Sequence, residues 1–167
     1  SLLDTPMSGG PAQAEEGALK LLIGGDEEVF KSVKDILSVV SASMSYAGPS
    51  GAGHVLKLVN NFLGILDQYA TSAVSNVADK MGIPKERVYE IISNSGGNSN
   101  CFRRQMSTII EGKFGLSFML SFALKDLSYT LELFQGENVR NVVLEDLVKE
   151  FKAASESGFG EKDVSTI

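Results

Sequence analysis

Three short segments of the 167-residue sequence carry side chains that could take part in chemistry. The first is Asp4–Gly10 (D-T-P-M-S-G-G), where the hydroxyl of Ser8 and the bare amides of Gly9 and Gly10 follow a predicted strand. Such a group of O–H and N–H donors can hold a carboxylate. Ordinary strand-to-loop turns have the same composition, so this segment alone leaves both interpretations open.

The second segment is Gly48–Asn61, where glycines bring the backbone close to a neighbour and a helix then begins. Lys57 and Asn61 are four positions apart and therefore share one face of that helix. This places an ammonium beside an amide, although a lysine one turn into a helix can also simply be solvated. The glycines do not form the dinucleotide pattern G-x-G-x-x-G, because Leu56 occupies the third glycine position.

The third segment is the charged pair Lys125-Asp126 within an otherwise apolar predicted helix. Charges are costly to bury unless they are paired or functional. The alternative is that both side chains emerge at an exposed edge of the helix. His54 fits a surface or capping residue at a helix start, and Cys101 fits helix packing.

The secondary structure predicted around these residues changes after Gly48 from mixed strands and helix to helices alone. Before it, apolar runs and Gly/Pro punctuation predict two or three strands and one helix. The strands are expected at Ser1–Pro6, Ala18–Ile23 and Ser45–Ala47, with a loop at Met7–Pro11 and a helix capped by Asp26.

Beyond Gly48 the apolar spacing predicts helices almost throughout. The expected segments are a long helix over Gly53–Met81, one beginning at Pro84, and three over Asn100–Glu111, Ser117–Phe134 and Asn141–Glu156. The Ser117–Phe134 helix is apolar on most sides, which predicts that it is buried. The sequence therefore predicts a mainly α fold built on one long central helix, preceded by a small α/β portion.

Composition excludes several classes of function. Fifteen basic and twenty-one acidic residues give a net charge of −6, which argues against nucleic-acid binding. No apolar run reaches the roughly 18 residues that cross a bilayer. One Cys and one His exclude a disulfide framework and a Cys/His metal site, so we expect no metal and a reducing, cytoplasmic location.

Taken together, the three segments resemble the β-hydroxyacid dehydrogenase family, which includes 3-hydroxyisobutyrate dehydrogenases and tartronate semialdehyde reductases. The family patterns are D-x-P-x-S-G-G at Asp4–Gly10, G-x-G-x-x-x-K-x-x-N-N at Gly51–Asn61 and K-D-L at Lys125–Leu127. A strand ending in G-G at Gly17–Gly25 and a closing G-x-G-x-x-D-x-S at Gly158–Ser165 are also similar. The resemblance covers essentially the whole chain in the family's order.

The resemblance implies roles for the first two segments. Ser8, with the amides of Gly9 and Gly10, would hold a carboxylate of a small substrate. Lys57 would be the general acid/base and Asn61 would orient the substrate. An ammonium close to the reacting oxygen can stabilise developing negative charge and donate the proton, which fits reduction of an aldehyde.

The resemblance also implies the cofactor and the organisation of the chain. Lys125 would lie near the nicotinamide of NAD or NADP. Residues 1–48 would be the end of a Rossmann domain, and residues 49–167 a helical substrate and dimerisation domain of the 6-phosphogluconate dehydrogenase-like type. We expect a homodimer or homotetramer, and a fragment without its main cofactor-binding loop, inactive by itself.

Two alternatives remain open at this point. The Gly51–Lys57 pattern is also similar to 6-phosphogluconate dehydrogenases, but Asn60 stands where that group has a histidine. A non-catalytic helical dimerisation module is the other alternative, and the joint presence of Ser8, Lys57, Asn61 and Lys125 argues against it.

Overall fold

A four-stranded sheet opens the chain in the computed structural model, which describes residues 1–167. Its strands are β1 (Leu3–Asp4), β2 (Met7–Ser8), β3 (Leu19–Gly25) and β4 (Ser41–Gly48). Strand β3 is central, since β1 and β2 both pair with it antiparallel and β4 pairs with it parallel. The resulting sheet places Ser8 opposite Lys20.

Two helices accompany the sheet: α1 (Pro11–Glu15) and α2 (Glu27–Leu37). Helix α2 begins as predicted, because the Asp26 carboxylate accepts hydrogen bonds from the amides of Glu28 and Val29. Phe30 of α2 packs with Leu21 and Ile23 of β3 in a small apolar core.

The remainder of the chain is helical, as the apolar spacing predicted. The helices are α3 (Ala52–Lys80), α4 (Lys85–Ser93), α5 (Asn100–Glu111), α6 (Leu120–Gly136) and α7 (Val142–Ala154), followed by a π-helical turn at Ser155–Phe159 and a 3₁₀ turn at Val164–Thr166. The mainly α fold with a small α/β portion is therefore confirmed. No helix combines the length and apolar character needed to cross a membrane.

The chain forms two compact units. Unit 1 comprises Ser1–Asn61 and Glu132–Val139, and unit 2 comprises Phe62–Leu131 and Arg140–Ile167. Unit 2 has its own apolar core, in which Ala78, Val88, Phe102 and Met106 are buried together.

Two local predictions are wrong. The loop predicted at Met7–Pro11 is limited to Gly9 and Gly10, because Met7–Ser8 pairs with β3 and Pro11 begins α1. Helix α6 is not buried on most sides: it buries Leu120, Ala123 and Leu127, whereas Phe122 and Tyr129 are 52% and 51% exposed.

Candidate functional site

The Ser8–Gly10 segment lies where β2 ends and α1 begins. Gly9 has a φ of +136°, a conformation that side chains rarely adopt. A Cβ added there would also lie 3.0 Å from Leu19 Cδ2 and 3.1 Å from Gln13 Cβ. A glycine is thus required for the backbone to turn from the strand into the helix at this point.

The amide of Gly10 already has a partner within the chain. It donates a hydrogen bond to Gln13 Oε1 over 2.8 Å, so the Gln13 side chain caps the N-terminus of α1. A substrate carboxylate that used this amide would have to displace the Gln13 side chain, whose bond is solvent-exposed. No sequence pattern predicts this competition between Gln13 and a substrate.

Lys57 and Asn61 lie in the first part of α3 and are both half-buried. Their spacing of four positions places them on one helix face, as predicted. Both belong to unit 1 together with Ser8, Gly9 and Gly10. The structure therefore brings five of the six predicted site residues into one compact unit.

Asp4 joins the strand to the helix within this unit, a role that sequence reasoning did not assign. Its Oδ1 accepts a hydrogen bond from the Gly51 amide at 2.7 Å, and its Oδ2 accepts one from the His54 amide at 3.1 Å. These amides belong to the start of α3, where N–H groups lack partners inside the helix. The sequence feature that could have suggested this role is Asp4 itself, an aspartate in the D-x-P-x-S-G-G segment that caps no neighbouring helix.

The Asp4 carboxylate is buried and charged. Burial by itself raises the pKa of Asp4, but the hydrogen bonds from the Gly51 and His54 amides outweigh it and hold the pKa below its ordinary value. His54 Nδ1 lies 3.4 Å from Asp4 Oδ2, while the His54 side chain is 66% exposed. His54 is thus a surface residue at the helix start.

The same contacts decide what the glycine segment can bind. Because the amides of Gly51 and His54 donate to Asp4, they are not available to a pyrophosphate. The Gly51–Gly53 segment thus lacks free amides for a dinucleotide as well as the third glycine, which is Leu56.

Lys125 lies in unit 2, on α6. Its Nζ is 3.1 Å from Asp126 Oδ1 and lies 6.0 and 5.9 Å from the ring centroids of Phe122 and Tyr129. The Lys125 side chain is 54% exposed and that of Asp126 only 12%. The two partners of this ion pair thus differ in burial: the ammonium is at the surface and the carboxylate is largely buried.

A cavity of about 270 Å³ in unit 2 contains none of the predicted site residues. It is lined by polar groups of α5, of the residues that follow α5 and of the closing segment, including Arg104, Gln105, Lys113 and Asp163.

Comparisons with known proteins define the class. Residues 51–167 match the family described as NAD-binding of NADP-dependent 3-hydroxyisobutyrate dehydrogenase, and residues 1–48 match the NAD binding domain of 6-phosphogluconate dehydrogenase. Both descriptions are of NAD(P)-dependent oxidoreductases, so NAD or NADP is the cofactor class, as the resemblance implied. The chain belongs to the β-hydroxyacid dehydrogenase family.

Curated relatives agree with this assignment. The chain is 31% identical to a 2-(hydroxymethyl)glutarate dehydrogenase of Eubacterium barkeri and 27% identical to an L-threonate dehydrogenase of Haemophilus influenzae. Each alignment covers 99% of this chain, but 55% and 56% of the relatives. The chain thus spans about half the length of the curated relatives it matches.

Solved structures have the same fold. A 3-hydroxyisobutyrate dehydrogenase of Salmonella typhimurium superimposes with a TM-score of 0.85 at 25% identity, over 98% of this chain and 57% of that one. A Mycobacterium tuberculosis 3-hydroxyisobutyrate dehydrogenase, at 21% identity, gives a TM-score of 0.91 over 98% of this chain and 58% of that one.

Proposed function

We propose that the protein containing these residues is an NAD(P)-dependent oxidoreductase that interconverts a small 3-hydroxy acid and its semialdehyde. The observation that carries this proposal is the Asp4 carboxylate, which ties the strand leading to Ser8 to the helix that presents Lys57 and Asn61. Family membership supports the class of reaction.

In the proposed site, Ser8 and the Gly9 and Gly10 amides bind the substrate carboxylate, which displaces Gln13 Oε1 from the Gly10 amide. Asn61 orients the hydroxyl. Lys57 takes the hydroxyl proton during oxidation and returns it to the aldehyde oxygen during reduction. The nicotinamide cofactor supplies the hydride acceptor or donor. Lys125, a half-exposed cation held beside two aromatic rings, suits a position next to that cofactor.

The domain organisation remains a proposal as well. We assign residues 1–48 to the end of the NAD(P)-binding domain and residues 49–167 to the helical substrate and dimerisation domain. The two family matches, which meet between residues 48 and 51, support this boundary. Residues 1–167 hold no G-x-G-x-x-G segment, and we expect this chain alone to be inactive.

Self-association through the helical portion is the proposed assembly. An exposed apolar stripe follows α3 in unit 2: Leu63, Val74, Val77 and Met81 are 59%, 49%, 58% and 72% exposed. Pairing of such stripes in a homodimer or homotetramer would remove this surface from water.

A 6-phosphogluconate dehydrogenase-like activity is the second candidate, favoured by the match of residues 1–48. Asn60 in place of that group's histidine supports the small 3-hydroxy acid instead. The two candidates differ in substrate class, so one panel of substrates separates them.

The test is an assay of the whole protein with NAD and NADP against small 3-hydroxy acids, their semialdehydes and 6-phosphogluconate. Lys57→Ala should lower kcat by about 10²- to 10⁴-fold, the usual contribution of a general acid/base. Lys80→Ala, at the exposed end of the same helix, is the matched control and should leave kcat unchanged. Near-normal kcat for Lys57→Ala across the pH range would contradict the proposal.

A further inference from the structure

We infer that Asp4 is a positioning residue for the proposed reaction, which holds the Lys57-bearing start of α3 in register with the Ser8–Gly10 segment. The inference rests on the proposed function of Lys57 and Ser8. Asp4 thereby affects the rate of the proposed reaction as well as the stability of the fold.

Helix α3 depends on Asp4 for its cap. Ser50 is the only residue near the start of α3 whose side chain could cap it locally, yet the Gly51 amide donates to Asp4, 47 positions away. The His54 amide donates to the same carboxylate from 50 positions away. The cap therefore also joins two distant parts of the chain.

The Asp4 carboxylate is tightly packed between two glycines. A Cβ on Gly53 would lie 2.7 Å from Asp4 Oδ2 and 2.5 Å from the Leu22 carbonyl oxygen. A Cβ on Gly24 would meet the Asp4 carboxylate itself. Glycines at both positions let the first turn of α3 lie directly against β3, with the Asp4 carboxylate packed beside this contact.

Asp4 is connected to both halves of the proposed site over a few residues. Asp4 ends β1, and the chain continues into Ser8 of β2. On the helix side, Lys57 lies one turn beyond His54, whose amide and ring both contact Asp4. Loss of either hydrogen bond frees the first turn of α3 to move, and small displacements of a catalytic group reduce rate strongly.

The experiment compares Asp4→Asn with Asp26→Ala, which removes the cap of α2, in the whole enzyme. Asp26 caps α2 through two backbone amides in the same unit, so it matches Asp4 as a helix cap but belongs to another helix. Both variants should lower the melting temperature. Only Asp4→Asn should lower kcat, by about tenfold, with a smaller change in the KM of the cofactor. Equal kcat for the two variants would overturn the inference.

Lys57→Ala in the same assay separates this inference from the proposed function. If Lys57→Ala retains kcat, the proposed function fails. If Lys57→Ala loses kcat while Asp4→Asn retains it, only the positioning role fails.

A second measurement needs no variant and covers the case in which Asp4→Asn does not fold. In the wild-type protein, the NMR signals of the Gly51 and His54 amides and of the Lys57 side chain are followed during acid titration. All three should shift with one common midpoint as Asp4 becomes protonated. A Lys57 signal that does not follow the two amides would overturn the inference.

Discussion

The Asp163 carboxylate accepts hydrogen bonds from both the amide and the hydroxyl of Ser117, over 2.6 and 2.8 Å and across 46 positions of sequence. The same carboxylate accepts from the Phe118 amide and from the amide and hydroxyl of Ser165. One buried side chain thus fastens the closing segment of the chain to the segment before α6. These hydrogen bonds hold the closing segment against the start of α6.

Removing this carboxylate should destabilise unit 2. Asp163→Ala leaves several buried donors without an acceptor, and we expect the free energy of unfolding to fall by about 3 kcal/mol. Asp146→Ala, an exposed carboxylate paired with Lys149 on α7, is the matched control and should change it by less than about 1 kcal/mol. Urea denaturation of both variants checks the difference, and equal midpoints would refute it.

The contribution of Asp163 should also depend on pH. Burial raises the pKa of Asp163, but the hydrogen bonds from Ser165, Phe118 and Ser117 outweigh it and hold the pKa below its ordinary value. A lowered folded-state pKa gives stability that is fully present above about pH 3.9 and is lost as the pH falls through the folded-state value. Acid denaturation of wild type and Asp163→Asn should therefore converge at low pH, whereas a constant gap would contradict this.

Substitution of Ser8 should act mainly on substrate binding. A hydroxyl that contacts the substrate carboxylate does so in both the ground and the transition state, so Ser8→Ala should raise KM about tenfold with little change in kcat. Ser43→Ala on the exposed part of β4 serves as the control. Steady-state kinetics of the whole enzyme decide it: a kcat effect with unchanged KM would exclude this role for Ser8.

The two aromatic neighbours of Lys125 should hold its ammonium in place. Cation–π contacts at exposed sites contribute about 0.5–1 kcal/mol each, so Phe122→Leu with Tyr129→Leu should raise the cofactor KM by roughly fivefold. Lys125→Ala should raise it further. Phe114→Leu, an equally exposed phenylalanine elsewhere in unit 2, should have no effect. If the aromatic pair can be replaced without change in cofactor KM, these rings do not position Lys125.

Self-association should depend on the apolar stripe of α3. Light scattering of the wild-type chain at low micromolar concentration should give at least twice the 17.9 kDa chain mass. Val77→Lys should reduce this mass, because a charge in an apolar interface loses its hydration without gaining a partner. Val143→Lys, on a half-exposed position of α7, should not. A wild-type mass near that of a single chain would refute the assembly.

Local sequence patterns were sufficient for most helices and for the family. The predicted helix over Asn100–Glu111 coincides with α5, and the Asp26 cap begins α2 where expected, because helix periodicity and capping depend on neighbours within a few positions. The motif spacing around Ser8, Lys57 and Lys125 likewise led to the family without a structure.

Contacts between distant parts of the chain were decided only in three dimensions. Strand β2 has only two residues and forms because β3 supplies its hydrogen-bond partners. No local sequence pattern could therefore predict it. Asp4 caps α3, and Asp163 binds the segment before α6. Both contacts span about 50 positions, much further than the few residues that a helix or strand pattern relates. The surface position of Lys125 also depends on which face of α6 packs inward, which sequence spacing left open.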